Sequence, residues 1–260
     1  MRDVASEHDD RGITIQRVGI RDLHLPVMIR EKPGRLARIL GVFDASVELV
    51  KTERGTHMSR FVQVLSKWSK KSVSQVEMEE MLREIVQVFG ARAATLKLAF
   101  KYFLEKRAPA TGIESPLDYD CAFEAGIEDG QYTFALVATV PVISLCPCSK
   151  EISDRGAHSQ RALITVRVQA EPGVFIWLED LIPLIEQQGS QPVYALLKRS
   201  DEKVVTEGSY DNPKFVEDVV RDTIIALRKL PGVRHFAVEC KSLESIHNHV
   251  AYAMAESEAD

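Results

Sequence analysis

The sequence predicts an α+β protein of two similar units, each an antiparallel sheet with helices packed on one face. Three observations predict it: runs of alternating apolar residues, helical-period segments between them, and the return of that order in the second half of the 260 residues. Hydrophobic residues make up 45% of the chain, enough to fill such cores.

The expected division is a flexible tail over 1–17, a first unit over 18–128 and a second over 129–260. The opening dozen residues and the closing ESEAD are polar, as mobile chain ends usually are. Leu23, Leu25, Val27 and Ile29 make one face of a strand, and Phe43, Ala45, Val47 and Leu49 one face of the next, with Pro33-Gly34 as the hairpin turn. The period then becomes helical at Phe61, Val62 and Leu65. A second helix opens at Ser74, with Glu77 completing a capping box, and stops at Gly90. Leu96, Leu98, Phe100, Tyr102 and Leu104 alternate again, Pro109 to Pro116 reads as a loop, and Tyr119 to Phe123 as a further strand. The first half therefore reads ββααββ.

In the second half, strands are predicted near Tyr132 to Val140, Ile164 to Val168 and Phe236 to Cys240. Between them lie a helix near Phe175 to Gln188 and one starting at Pro213 with Asn212 as its cap. Pro183 predicts a kink or a late start in the former, because a mid-helix proline removes a hydrogen bond and crowds the preceding turn. No strand, Gly-rich turn and helix of the nucleotide-binding type occurs.

Thirty-three Lys and Arg stand against 38 Asp and Glu, so a net charge of -5 argues against general binding to nucleic acid or acidic membranes. With no long apolar run and a polar start, neither a membrane helix nor a signal peptide is expected, and the protein is expected in the cytoplasm. Four cysteines, two of them paired at Cys146 and Cys148, suit reduced thiols or a metal site; Cys121 and Cys240 sit in strand-like runs and read as core.

The densest chemical stretch is SLCPCSKEISDRGAHSQR, which sets Cys146, Cys148 and His158 in a connection between strands. Thiolate and imidazole suit zinc, and the intervening chain is long enough for both to meet one ion. Asp201, Glu202 or Glu207 of the polar run LKRSDEKVVTEGSYDNP could add an oxygen, and ESIHNH adds Glu244, His247 and His249 as ligands or proton carriers. Each has an ordinary reading too. Cys-x-Cys pairs arise by chance, loop histidines are often solvated, and Glu217 suits a helix first turn. GTHMSRF, with His57, Ser59 and Arg60, could be a helix start capped by Thr56 or Ser59.

Taken together, GTHMSRF (55–61), SLCPCSKEISDRGAHSQR (144–161), LKRSDEKVVTEGSYDNPKFVEDVVRD (197–222) and ESIHNHVAYA (244–253) resemble the GTP cyclohydrolase IB family from about Asp9 onward. The resemblance implies a tunnelling fold of two tandem ββααββ-like units and a homotetramer with active sites at subunit interfaces. It implies a divalent metal, zinc, manganese or iron, held by Cys146, His158 and Glu202, with Glu217 anchoring the guanine of GTP. Cys146, His247 and His249 are the candidate catalytic residues; His57, Ser59, Arg60, Lys198 and Arg199 are candidates for the rest of the substrate, with Lys150 and Lys203 also near the motifs. The expected product leads toward tetrahydrofolate. PGRLARILG over 33–41 departs from the family's more polar strand start. Two other readings stand beside this one: an NADPH-dependent nitrile reductase of the same fold using Cys146 or Cys148 as nucleophile, and a non-catalytic, metal-stabilised purine-binding oligomer.

Overall fold

The computed structural model describes residues 4, 5, 7–32 and 34–258. In chain order these form β1 (Ile15–Glu31), β2 (Arg35–Leu49), α1 (Met58–Trp68), β3 (Ser72–Val73), α2 (Gln75–Phe89), β4 (Ala93–Arg107), β5 (Glu114–Glu128) and β6 (Gln131–Leu145). There follow α3 (Pro147–Ile152), β7 (Ser159–Ala170), α4 (Leu178–Glu186), β8 (Gln191–Pro192), α5 (Arg199–Asp211), α6 (Val216–Arg228), β9 (Val233–Leu243) and β10 (Val250–Glu258). The chain forms two compact units, one of Met1–Phe100 with Ala122–Leu136, the other of Lys101–Cys121 with Val137–Asp260. The expected boundary at 128/129 falls on the Asp129-Gly130 turn. The division instead crosses strands, because β4, β5 and β6 each give one end to each unit.

In the first unit, β1 and β2 form a long antiparallel hairpin with Glu31 opposite Arg35. Pro33 of its turn lies outside the described residues, and Gly34 N donates to Glu31 O at 2.7 Å. Alternation places Val27, Ile29, Phe43, Ala45, Val47 and Leu49 in the core. Gly41 lies on this face, where an added Cβ would sit 2.6 Å from Leu98 Cδ1 and 2.9 Å from Val27 Cγ2, so the close approach of β2 to its neighbours requires glycine. Helices α1 and α2 pack together through stacked Phe61 and Phe89, ring centroids 4.2 Å apart. Ser74 caps α2, accepting from Val76 N at 3.3 Å and bonding Glu77, and Gly90 ends the helix with φ 61.

Three details of the chain's first half differ from expectation. His57 is the N-cap of α1 and makes no side-chain cap bond, so neither Thr56 nor Ser59 serves. Within the expected tail, Glu7 and Asp9 are tied to the chain that follows β2: Asp9 N donates to Thr52 O and Arg54 N to Glu7 O, each at 3.0 Å, and β1 already begins at Ile15. The loop expected over 109–116 ends early, with Pro116 inside β5.

In the second unit, β9 lies between β7 and β10, antiparallel to both, and β8 pairs with β6. Helix α4 starts late, at Leu178, with Pro183 inside it. Asn212 does not cap a helix at Pro213. It ends α5 and donates through Nδ2 to Gly189 O and Ser190 O, while α6 begins at Val216 with Phe215 as N-cap. The polar run 199–211 is a helix that burial alone reveals, since only Asp201, Val205 and Ser209 face inward, at four-residue spacing. The closing residues belong to β10 as far as Glu258; 259 and 260 lie outside the described residues. Cys121 and Cys240 are core residues, as expected, and all four cysteines are free thiols.

Candidate active site

The connection from β6 to β7 holds its two ends together through backbone geometry. Cys146 is the N-cap of α3, with Pro147 opening the helix and Cys146 Sγ accepting from Ser149 N at 3.4 Å. Cys146 N donates to His158 O at 3.1 Å, and His158 N donates to Ser149 Oγ at 3.1 Å. The eleven intervening residues leave the sheet and return, so Cys146 and His158 become neighbours despite their separation in sequence.

The start of α6 is tied to the same strand end. Lys214 N donates to Leu145 O at 3.0 Å, and Ser144 Oγ donates to Lys214 O at 3.1 Å. Asp218 accepts from Phe215 N at 3.1 Å and fixes the first turn, where Glu217 stands exposed. Lys214 Nζ is engaged by Asp222 at 2.7 Å and Gln188 O at 3.1 Å. Behind this turn, burial first, and then the carboxylates Glu217 and Glu239, push the Cys240 thiol up to about 12, so it remains neutral in the core.

These elements enclose a cavity of about 270 Å³ within the second unit, lined by Cys146, His158, Glu217, Glu244, His247 and His249 among others. The rings of His247 and His249 stack with centroids 5.0 Å apart and planes 15° from parallel. Gln160 also faces the cavity, its Oε1 2.9 Å from His158 Nδ1. Sequence reasoning passed it over, although two residues along a strand from His158 is the same side.

The remaining candidates lie elsewhere. Glu202, Lys198 and Arg199 are exposed around the start of α5 and do not line this cavity. Among the described residues no group of three Cys, His, Asp or Glu side chains is assembled as a metal site, so the expected trio of Cys146, His158 and Glu202 is present only as its first pair. His57, Ser59 and Arg60 sit in the first unit, where α1 starts, with Arg60 N donating to His57 O at 3.0 Å. Lys150 is held by Tyr210 O at 2.6 Å and Lys203 by Glu207 at 2.6 Å.

What fixes the start of α5 is Asp201. It is fully buried and accepts from Lys198 N, Ala110 N and Thr111 N, and from Thr111 Oγ1, at 2.8 to 2.9 Å. Burial alone would raise its carboxyl, but these bonds outweigh it and hold the group at about 2. Nearby, Lys106 donates to Glu186 at 2.7 Å and to Val193 O at 2.9 Å, and Tyr119 donates to the same carboxylate oxygen at 2.7 Å. Burial lowers the Lys106 pKa against the pull of Glu186.

A sequence model described as Type I GTP cyclohydrolase folE2 matches residues 1–253. A GTP cyclohydrolase FolE2 from Fervidobacterium nodosum is 42% identical over 258 residues, covering 99% of this chain and 98% of its own. One from Syntrophotalea carbinolica is 46% identical over 256 residues, covering 98% and 95%. Among solved structures, a uricase from Arthrobacter globiformis superposes with a TM-score of 0.58 over 94% of this chain and 93% of its own, at 7% identity. A Bacillus sp. TB-90 urate oxidase mutant gives 0.56 over 94% and 100%, at 8% identity. At those identities the likeness shows the fold alone, and that fold is the tunnelling fold.

Proposed function

This chain belongs to the FolE2 family of type I GTP cyclohydrolases, and from that premise we propose that it opens GTP in the cavity of the second unit, with Glu217 reading the base and a divalent ion at Cys146 and His158. The reaction hydrolyses the imidazole ring of GTP at C8, giving formate and 7,8-dihydroneopterin triphosphate. The observation that carries the site assignment is the convergence of Cys146, His158, Glu217, His247 and His249 on one cavity. The relatives bear the cyclohydrolase name, which favours neither nitrile reduction nor a non-catalytic scaffold.

Guanine presents N1–H and its 2-amino group as adjacent donors, and one carboxylate accepts both in a fork. That Glu217 lines the cavity, on a first turn whose backbone is anchored to the end of β6, supports this role. A thiolate and an imidazole facing one cavity suit a borderline-soft divalent ion, and the engagement of His158 Nδ1 by Gln160 leaves Nε2 as the donor. Cys146 and His158 would hold the ion, with Glu202 proposed as the third ligand from family likeness. Zinc fits the soft pair best, and manganese or iron becomes competitive once an oxygen ligand joins. Such an ion supplies Lewis acidity that makes water a nucleophile near neutral pH.

The paired imidazoles of His247 and His249 flank the same space and are the proposed proton carriers of the later ring-opening and reclosure steps. Lys198, Arg199 and Arg60 supply the positive charge proposed for the triphosphate, and His57 and Ser59 are proposed contacts to the rest of the substrate. We place the enzyme in the cytoplasm at the head of tetrahydrofolate-type pterin synthesis, as a homotetramer with active sites at subunit interfaces. Exposed Val250, Tyr252 and Met254 on β10, which ends the second unit's strand order, support such assembly. No helix among the described residues is long and apolar enough to cross a membrane.

The test is incubation of the metal-reconstituted protein with GTP, following formate release and, after oxidation, pterin fluorescence. Formate with a neopterin product, lost in Cys146→Ala, is expected. GTP left intact with zinc, manganese and iron alike overturns the reading.

A further inference from the structure

The side chain of Gln160 has all of its hydrogen-bonding roles dictated by its neighbours. Its Nε2 donates to Ser242 Oγ at 3.1 Å and to Glu244 Oε1 at 3.2 Å. An ionised carboxylate accepts only, so the group facing Glu244 must be the NH2, and the reverse amide orientation would set oxygen against oxygen. The amide oxygen therefore faces His158 Nδ1 at 2.9 Å, with Ser245 Oγ at 3.5 Å. That oxygen has no hydrogen to give, so Nδ1 carries the proton that faces it, and in the neutral ring the lone pair is on Nε2.

The arrangement is anchored well beyond the side chains themselves. Ser242 is buried near the end of β9, where the β7–β9 ladder pairs it with Ala162, two residues beyond Gln160. Glu244 N donates to Ser242 O at 3.1 Å, which fixes the turn presenting its carboxylate. The last residues of β9 and the turn after it thus decide, through one amide, which nitrogen of a histidine on another connection is available.

We propose that Gln160 is a positioning residue that locks His158 in the Nδ1–H tautomer and presents Nε2 as a ligand for a divalent cation. The inference rests on the metal reading of Cys146 and His158 given above, and adds to it the chain Glu244 to Gln160 to His158 that prepares the ligand before any ion arrives. A ligand held in one tautomer needs neither reorientation nor proton rearrangement to bind, and losing such an outer partner typically weakens metal affinity about 10- to 100-fold.

The experiment measures the zinc dissociation constant of the full-length protein by competition with a fluorescent chelator, alongside kcat and KM for GTP. Gln160→Leu, close in size but unable to accept, is expected to bind zinc about 10- to 100-fold more weakly, to lower kcat at sub-saturating zinc and to leave KM for GTP within about twofold. The double variant Gln160→Glu with Glu244→Gln reverses the donor and acceptor between the two side chains while restoring an acceptor opposite Nδ1. Its zinc affinity is expected to return to within a few-fold of the parent. Unchanged affinity in Gln160→Leu overturns the inference, as does a double variant that binds zinc no better than Gln160→Leu. A parent whose zinc affinity is indifferent to Cys146→Ala overturns the metal reading itself, a separable failure.

Discussion

The turn between β1 and β2 and the connection between β6 and β7 solve the same problem, carrying the chain from one long strand to the next, in opposite ways. The first takes only a few residues, with Glu31 and Arg35 still paired across it. The second runs from Leu145 to Ser159, builds α3 on the way and brings Cys146 and His158 to a cavity. The polar groups of the first unit are largely consumed by structure: Arg92 bonds Glu48, Glu128 and Asp129, and Glu84 takes both Lys67 and Trp68. In the second unit Glu217, His247 and His249 are instead exposed around an open space. A strand framework is cheap to repeat; reactivity comes from where its connections are allowed to lengthen.

That contrast can be broken most sharply at Cys146. Cys146→Ala is expected to lower kcat/KM for GTP by about 10²–10³-fold or more, the scale on which reacting groups act, with the melting temperature near the parent's; a large loss of stability would make the connection structural after all. In the first unit the opposite is expected. Leu98→Ala removes a fully buried side chain packed beside Gly41, and should cost about 3 kcal/mol in urea unfolding while kcat per folded molecule stays unchanged.

Glu217→Gln keeps the shape but loses the charge-assisted fork, so kcat/KM should fall by about 10- to 100-fold, equivalent to roughly 1.5–3 kcal/mol, with zinc affinity retained. The smallest effect concerns acid. Asp201 has a folded-state pKa of about 2, below its ordinary value of 3.8, so it contributes stability above pH 4 that is lost as pH falls through 2. Asp201→Asn should flatten that limb of the stability curve, measured by denaturant unfolding between pH 4 and 2. An unaltered limb would mean that Asp201 is not the latch on α5.

Most of the framework was legible in the sequence because it rests on period. The Ser74 to Gly90 punctuation gives α2 residue for residue, and the alternation from Leu96 to Leu104 gives the middle of β4. Helix α5 was not legible, since three small or polar inward residues, Asp201, Val205 and Ser209, make no apolar stripe. Strand β10 hid behind alternation of alanine with exposed side chains, Tyr252 and Met254 among them. Asn212 looked like a cap because cap residues and residues that bond a neighbouring loop are chemically the same. At the site, Cys146 and His158 stood out by residue type, whereas Glu217, an ordinary first-turn carboxylate by itself, was named through family likeness. Gln160 did not stand out, because its role exists only once Ser242 and Glu244 are folded beside it. Glu202 was named through likeness, and its place on α5 does not follow from spacing.

The bond from Cys146 N to His158 O closes the base of its connection like a drawstring. Past Ser149, which also ties Cys146 Sγ and His158 N, the exposed tip at Asp154, Arg155 and the left-handed Gly156 is expected to tolerate changes of length or sequence without moving the two groups at the neck. The outer part of that loop is therefore a ready attachment point, where a fluorophore, an affinity tag or an inserted peptide could report on the cavity while leaving its chemistry in place.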